Sequence, residues 1–420
     1  MPLLAAAPTL RTAAILAVIG VAALLVPVWA VVAAAIALLA AAASDVWSVR
    51  EPPAVKRALA PVLSRGVTVP ISVEALARDS RRVLLRQPAI PALELDRETG
   101  VDEFAGAVVP RRRGRHELPG VASASVGPLG LARLNHPPGD ALTVSVYPDL
   151  VTAHALIARL RRELAGHPGK LARGPLGLGT DFESIRDYTP DDDIRQLNWR
   201  ATARMGRPMS NQYRVERDRD LVCVLDTGRL MAAPIGSRTM LDASLDAVAM
   251  LALAADELGD RCGAIAFDQA IRRFIAPSHR SGRQVIEALF DLEAAPVDSD
   301  FERAFQRVGR ARRAFVAVFT DLVDEAAARS LVDAVPMLAR RHVVVVVSAL
   351  DPELERAAVT VPSTVLEAAS GLVALDVLRA RAAASATIAR AGASVIEAGA
   401  GELAERCLRA YLDAKARARL

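Results

Sequence analysis

Between Arg186 and Arg204 the chain reads R-D-Y-T-P-D-D-D-I-R-Q-L-N-W-R-A-T-A-R. Arg186, Asp187, Arg195, Asn198, Trp199 and Arg200 combine planar donors, acceptors and one large aromatic, the groups that dominate protein interfaces. A charged linker with an incidental helix has a similar composition. Asp191, Asp192 and Asp193 are consecutive and do not share a helix face, so a helix start suits them better than a cation cluster. Elsewhere no catalytic set forms. The six histidines, among them His116, His154, His279 and His342, lack zincin spacing, and no G-x-S-x-G elbow accompanies them. G-P-L-G-L-G at Gly174 to Gly179 has no strand before it and no Gly-Lys-Ser/Thr after it, so it reads as a linker in preference to a phosphate loop. Cys223, Cys262 and Cys407 lie far apart in apolar runs and read as reduced core thiols.

These residues must be positioned by regular elements. Asp192 or Asp193 caps a short helix on which Ile194, Leu197 and Ala201 recur at helical spacing, with Arg200 and Arg204 in its last turn, and Gly206 and Pro208 stop it. After Asp220 the texture becomes an alternation. LVCVLD is a buried strand, and Leu241, Leu245, Val248, Ala252 and Ala255 form one face of a helix ending at Gly259. Strands CGAIAF, IRRFIA, AFVAVF and HVVVVV follow, with helices over 284–292, 301–310 and 325–339 among them. Continuous apolar strands imply a parallel sheet covered on both faces, a doubly wound α/β domain. Residues 352–391 form a helical insertion, SVIEA a last strand and 402–415 a closing helix.

The first half differs. Ala13 to Ala43 carries no charge and is interrupted only by Gly20 and Pro27. As one helix it would run to roughly 45 Å, beyond the roughly 30 Å hydrocarbon core. Pro27 therefore predicts a transmembrane hairpin of two short spans, with a single tilted helix as the alternative. Arg11 before the run and Arg50, Lys56, Arg57 and Arg65 after it place the flanks, and the bulk of the chain, in the cytoplasm. The runs TVPISV, RRVLLR, GAVVP and ALTVSVY then predict an antiparallel β-sandwich of immunoglobulin-like size, with the basic knot Arg111 to Arg115 as a hairpin turn. A hydrophobic fraction of 52% fits a membrane segment, while a net charge of +4 and 4% aromatics argue against nucleic acid as a partner.

The order R-D-Y-x-P-x-D-D-x-R-x-x-N-W-x-x-x-A-R, followed by a strand ending in Asp226, resembles the signature of domain-of-unknown-function family 58. R-R-G-R within 112–115, P-L-G-L at 128–131 and V-Y-P at 146–148 extend the likeness into the β region. The family has Gly-Asp where this chain has Asp191-Asp192. Its members are bacterial membrane-anchored proteins with a von Willebrand factor A-like domain, often paired with MoxR-type AAA+ ATPases. The resemblance implies a transmembrane hairpin over 1–50, an immunoglobulin-like β domain over 51–149, a helix and linker over 150–180, the signature over 181–220 and a von Willebrand A-like domain over 221–420. It further implies that Asp226 and Asp321 occupy metal-ligand positions, with Thr320 beside them. The serine positions of that loop are Gly228 and Leu230, which offer a magnesium ion no oxygen, and Arg229 would oppose a cation. Ser299 could replace the distant threonine. The expectation is a degenerate site without cofactor, Mg²⁺ included. Two functions follow: a membrane scaffold docking an AAA+ ATPase through Arg186, Asp187, Arg195, Trp199 and Arg200, or an envelope-related hydrolase with an unrecognised site.

Overall fold

The computed structural model describes residues 6–76, 82–165, 181–189, 194, 197–214, 219–308, 312–322 and 325–416. The chain separates into two units, Met1–Tyr147 and Pro148–Leu420.

In the first unit, strand β1 (Ala6–Pro8) leads into helix α1 (Leu10–Ala22), and Pro27 stands directly before helix α2 (Val28–Ser48). There the missing N–H of proline costs no helical hydrogen bond. Of the two helices, α2 alone among the described residues is long and apolar enough to cross a membrane; α1 is shorter. The base of the pair is polar. Strands β2 (Ala122–Val126) and β3 (Ala132–Asn135) pair antiparallel, and β1 adds to the free side of β3. The turn between β2 and β3 points three backbone amides, Leu129, Leu131 and Ala132, at the buried Asp45 carboxylate, at 2.9, 2.7 and 3.2 Å. Thr12 donates to Leu131 O, and Thr9 to Gly130 O at 2.5 Å. A side chain at Gly127 would collide with the Asp45 carboxylate.

The rest of this unit is β. In Val69–Leu76, Ile71 and Val73 are buried while Pro70, Ser72 and Glu74 are exposed, the period of two that a half-covered sheet imposes. Leu63, Leu118, Val144 and Val146 of a three-stranded sheet share one core with Ile71, Val83, Leu85 and Phe104 of the larger sheet. Two expectations are corrected. Val62–Ser64 and Leu142–Tyr147 pair parallel within an otherwise antiparallel unit. Arg111 to Arg115 is no hairpin turn, because Glu103–Pro110 and Gly114–Leu118 belong to different sheets and the chain crosses between them.

The second unit opens with helix α3 (Leu150–Ala165), then strand β4 (Asp181–Asp187), helix α4 (Trp199–Met205) and strand β5 (Met209–Arg214). The alternation follows: β6 (Asp220–Asp226), α5 (Met240–Leu258), β7 (Arg261–Phe267), β8 (Ile271–His279), α6 (Gly282–Leu289), α7 (Phe301–Val308) and β9 (Ala314–Phe319). It continues through α8 (Glu325–Ala339), β10 (Val343–Leu350), α9 (Pro352–Val359), α10 (Val365–Arg390), β11 (Ser394–Gly399) and α11 (Leu403–Ala416). The sheet order is β8-β7-β6-β9-β10-β11, parallel throughout except for the edge strand β8. Val222, Val224, Val316, Val318, Val344 and Val346 face α7 and α8 through Phe305, Leu331, Val335 and Leu338. The alternate positions face α5 and α11, with Phe315 edge-on to Tyr411 at 5.3 Å between ring centres. Helices thus cover both faces, and every residue of β6 is buried. Thr239 and Asp242 form a capping box at the start of α5, and Gly259, at φ 73°, closes it in the left-handed conformation glycine tolerates.

Candidate functional site

Asp226, Thr320, Asp321 and Ser348 lie at or near the carboxyl ends of the adjacent strands β6, β9 and β10, the end at which open parallel sheets place their sites. Asp226 closes β6. Its buried carboxylate accepts from the Gly228 amide at 2.7 Å, Ser299 Oγ at 2.5 Å and Thr320 Oγ1 at 2.7 Å. Burial pushes the Asp226 carboxyl up from its ordinary range; the three donors oppose the rise, and the neighbouring charge of Asp321 adds to it. Gly228 does not leave a gap, because a Cβ there would collide with Ser299 Oγ. A hydroxyl from 73 residues away fills the place of the side chain that the loop lacks. Arg229, expected to oppose a cation, is engaged with Asp298 at 2.5 Å in solvent.

Asp321 follows β9 and is also buried. It accepts from its neighbour Leu322 N at 2.9 Å, from Ser348 Oγ at 3.2 Å and from Arg381 Nη1 at 2.7 Å. Arg381, 3% exposed, comes from the middle of α10. Its Nη2 donates to Ser348 Oγ at 2.7 Å and to Ala349 O at 3.1 Å, and its Nε to Glu397 of β11 at 3.3 Å. Glu397 accepts in turn from Ser385 Oγ at 3.0 Å. Sequence reasoning found Asp226 and Asp321 but missed Arg381, Ser348 and Glu397. One signal was available: Arg381 falls on the stripe Ala374, Ala384, Ile388, the buried face of α10.

Among the described residues no group of three or more His, Cys, Asp or Glu is arranged to hold a metal ion. The buried His136 and His342 are bonded to Ser125 Oγ and to the Ala314 amide, and burial holds both rings below the usual histidine range. Cys223, Cys262 and Cys407 are free and buried. The Cys223 thiol is raised by a hydrogen bond with Cys262 and by burial, and Cys407 is pushed up to about 12 by burial, so neither supplies a thiolate nucleophile.

The residues expected to dock a partner lie on a second element. Strands β4 and β5 form an antiparallel hairpin, with Ile185 opposite Asn211 and Asp187 opposite Met209, and α4 fills the connection. The start of α4 differs from the expectation. Asn198 caps it, accepting from Ala201 N at 2.9 Å while its amide donates to Asn211 on β5 at 2.7 Å, and Gly206, at φ 67°, ends it. Asn198 wins because one side chain both caps the helix and ties it to the strand. Asp191 to Asp193 and Arg195 lie outside the described residues. Arg186 and Asp187 are on β4, where Arg186 Nη1 donates to Asp187 O at 3.0 Å and Asp187 pairs with Arg207 at 3.1 Å. Both partners of that pair are more than half exposed, so it contributes at most about 1 kcal/mol. Trp199 opens α4 with 69% of its surface exposed, beside the exposed Arg200.

Comparison with known proteins places this geometry in context. The family model described as "Protein of unknown function DUF58" matches residues 184–394, half of the 420-residue chain, from within β4 to the start of β11. An uncharacterized protein of Mycobacterium bovis, and two of Mycobacterium tuberculosis strains, are each 27% identical over 185 residues, or 42% of this chain. The chain spans 56% of the length of these relatives. Proximal thread matrix protein 1 from the mussel byssus superposes over 48% of this chain and 46% of its own, with 9% identity and a TM-score of 0.27, too loose to carry an argument.

Proposed function

Because this chain belongs to the family described as protein of unknown function DUF58, we propose that it is a membrane-anchored interaction and scaffold protein working with a MoxR-type AAA+ ATPase on a client or on the cell envelope. The observation that carries the reading is the exposure of Trp199 on a structured, capped helix. A fully folded element with a large aromatic in water is a site that a partner covers. Ile185 on β4 and Met205 on α4 are also exposed, as are the charged Arg200 and Arg207. The parallel sheet with one antiparallel edge strand supports reading the second unit as a doubly wound, von Willebrand A-like domain. The core shared by two sheets supports an immunoglobulin-like sandwich in the first.

The docking surface makes a separable prediction. Trp199→Ala and Arg200→Ala should each leave the melting temperature within about 2 °C of wild type, as exposed changes usually do. Each should weaken capture of the purified MoxR-type ATPase by about tenfold, the typical loss at an interface anchor. Unchanged capture by both variants would remove this surface from the proposal.

The reading also places the bulk of the chain in the cytoplasm, with α1 and α2 inserted as a hairpin from that side. Support comes from β1 and the end of α2, which meet at one turn, and from Arg11 and Arg50 beside the two polar ends of the pair. Reporter fusions after Arg57 and at the carboxyl terminus should both report cytoplasm, and a periplasmic signal from either contradicts the topology.

A further inference from the structure

The carboxyl ends of a sheet of this kind invite a divalent metal, and the donor set here does not fit one. A magnesium ion needs about six oxygen ligands in near-octahedral array, several of them usually water. Asp226 is turned to an amide and two hydroxyls, and the loop after it contributes Gly228 and Leu230, neither with a side-chain oxygen. Among the described residues, four further oxygens at this end of the sheet are Asp321 Oδ1, Ser348 Oγ, Ala349 O and Glu397 Oε1. All four accept from one guanidinium, at 2.7 to 3.3 Å.

We infer that Arg381 is the resident cation of this cluster, a fixed charge carried in from α10 in place of a metal ion. Charge requires a cation here. Asp321, buried after β9, and Glu397, half-buried on β11, both accept from the same guanidinium across the end of β10. The Arg381–Asp321 pair is itself buried, with 4% and 3% of the two side chains exposed. Removing a carboxylate from water costs heavily unless a positive charge and hydrogen-bond donors are held against it. The guanidinium meets the need because it is planar, always charged and weakly hydrated, and its fork reaches carboxylate, hydroxyl and carbonyl at once. An ammonium has the charge without the fork. Two consequences follow. The cluster is complete without a metal, so neither chelator nor Mg²⁺ alters it. The α9–α10 insertion, which leaves the sheet after β10 and returns to it as β11, is fastened to the strand ends by the same contacts that neutralise them.

The test uses the full chain in detergent, followed by thermal unfolding and by calorimetric titration with Mg²⁺. Wild type should melt at the same temperature in EDTA and in 5 mM Mg²⁺, and should bind no Mg²⁺ below about millimolar. Arg381→Met should lower the melting temperature of this unit by roughly 10 °C, the size expected when one partner of a buried pair is removed. Mg²⁺ should then raise the melting temperature of that variant, because the oxygens the guanidinium held are released to it. Arg381→Lys should recover less than half of the loss, which separates fork from charge. Should Arg381→Met fail to fold, the double variant Asp321→Asn with Arg381→Met removes the uncompensated carboxylate and should fold. Stabilisation of wild type by Mg²⁺, or an Arg381→Met variant that melts with wild type, overturns the inference.

Discussion

Asp260→Ala should destabilise the α/β unit by about 3–5 kcal/mol, the range for leaving one member of a buried ion pair alone. Asp260 stands in the turn between α5 and β7 and is 0% exposed. It accepts from the Arg219 amide at 3.2 Å, from the Tyr411 hydroxyl and from the Lys415 ammonium. Tyr411 is fully buried, Lys415 nearly so, and both come from the last helix. The phenol is driven well above its usual range by burial and then by the Asp260 charge, so it remains a donor at every accessible pH. Truncating Asp260 leaves an ammonium, a hydroxyl and an amide without their acceptor in a dry site. Asp260→Asn keeps an acceptor for tyrosine or amide but not the charge, and should fall between alanine and wild type. Urea unfolding monitored by circular dichroism measures the loss. A difference below 1 kcal/mol for the alanine variant would show that α11 is not anchored through this residue.

Asp45→Ala should release the base of the apolar helices from the β unit. Three amides, Leu129, Leu131 and Ala132, share that carboxylate, and a buried amide without an acceptor costs about 1–3 kcal/mol. The loss is local, so hydrogen exchange reads it better than global unfolding does. Protection of these three amides should drop about 100-fold in the alanine variant, with a smaller drop for Asp45→Asn, which retains one acceptor oxygen. Protection within threefold of wild type would mean that the turn is held by its strand pairing and the Thr9 and Thr12 contacts alone.

Periodicity determined much of this protein. Apolar runs without charge predicted the buried strands β6, β9 and β10, and the larger strands and helices after Asp220 follow the expected order, although a 3-10 turn (Arg229–Ala232) and a two-residue hairpin (Pro234–Ile235 with Arg238–Thr239) precede α5 unforeseen. Pro27 marked the break between α1 and α2, and alternation marked the strand Val69–Leu76. These features are local, set by neighbours within a turn or along one strand, so sequence spacing carries them. At the candidate site, Asp226 and Asp321 were singled out by the family resemblance, and the apolar strands before them fixed where they stand.

What tertiary structure alone decided is the set of partners. Arg381 lies 60 residues from Asp321, Leu131 86 residues from Asp45, and Tyr411 151 residues from Asp260. No local pattern links such pairs, because chain topology brings them together. The same distance effect carried Asp45 from the end of an apolar segment to the cap of a β turn. It also made the strands on either side of Arg111 to Arg115 members of different sheets, and it let Asn198, bonded to Asn211 across the hairpin, start α4 where an upstream aspartate was expected. Burial converts each of these encounters into a requirement. A charge or an amide removed from water needs a partner wherever the chain supplies one, and only the fold determines which residue that is.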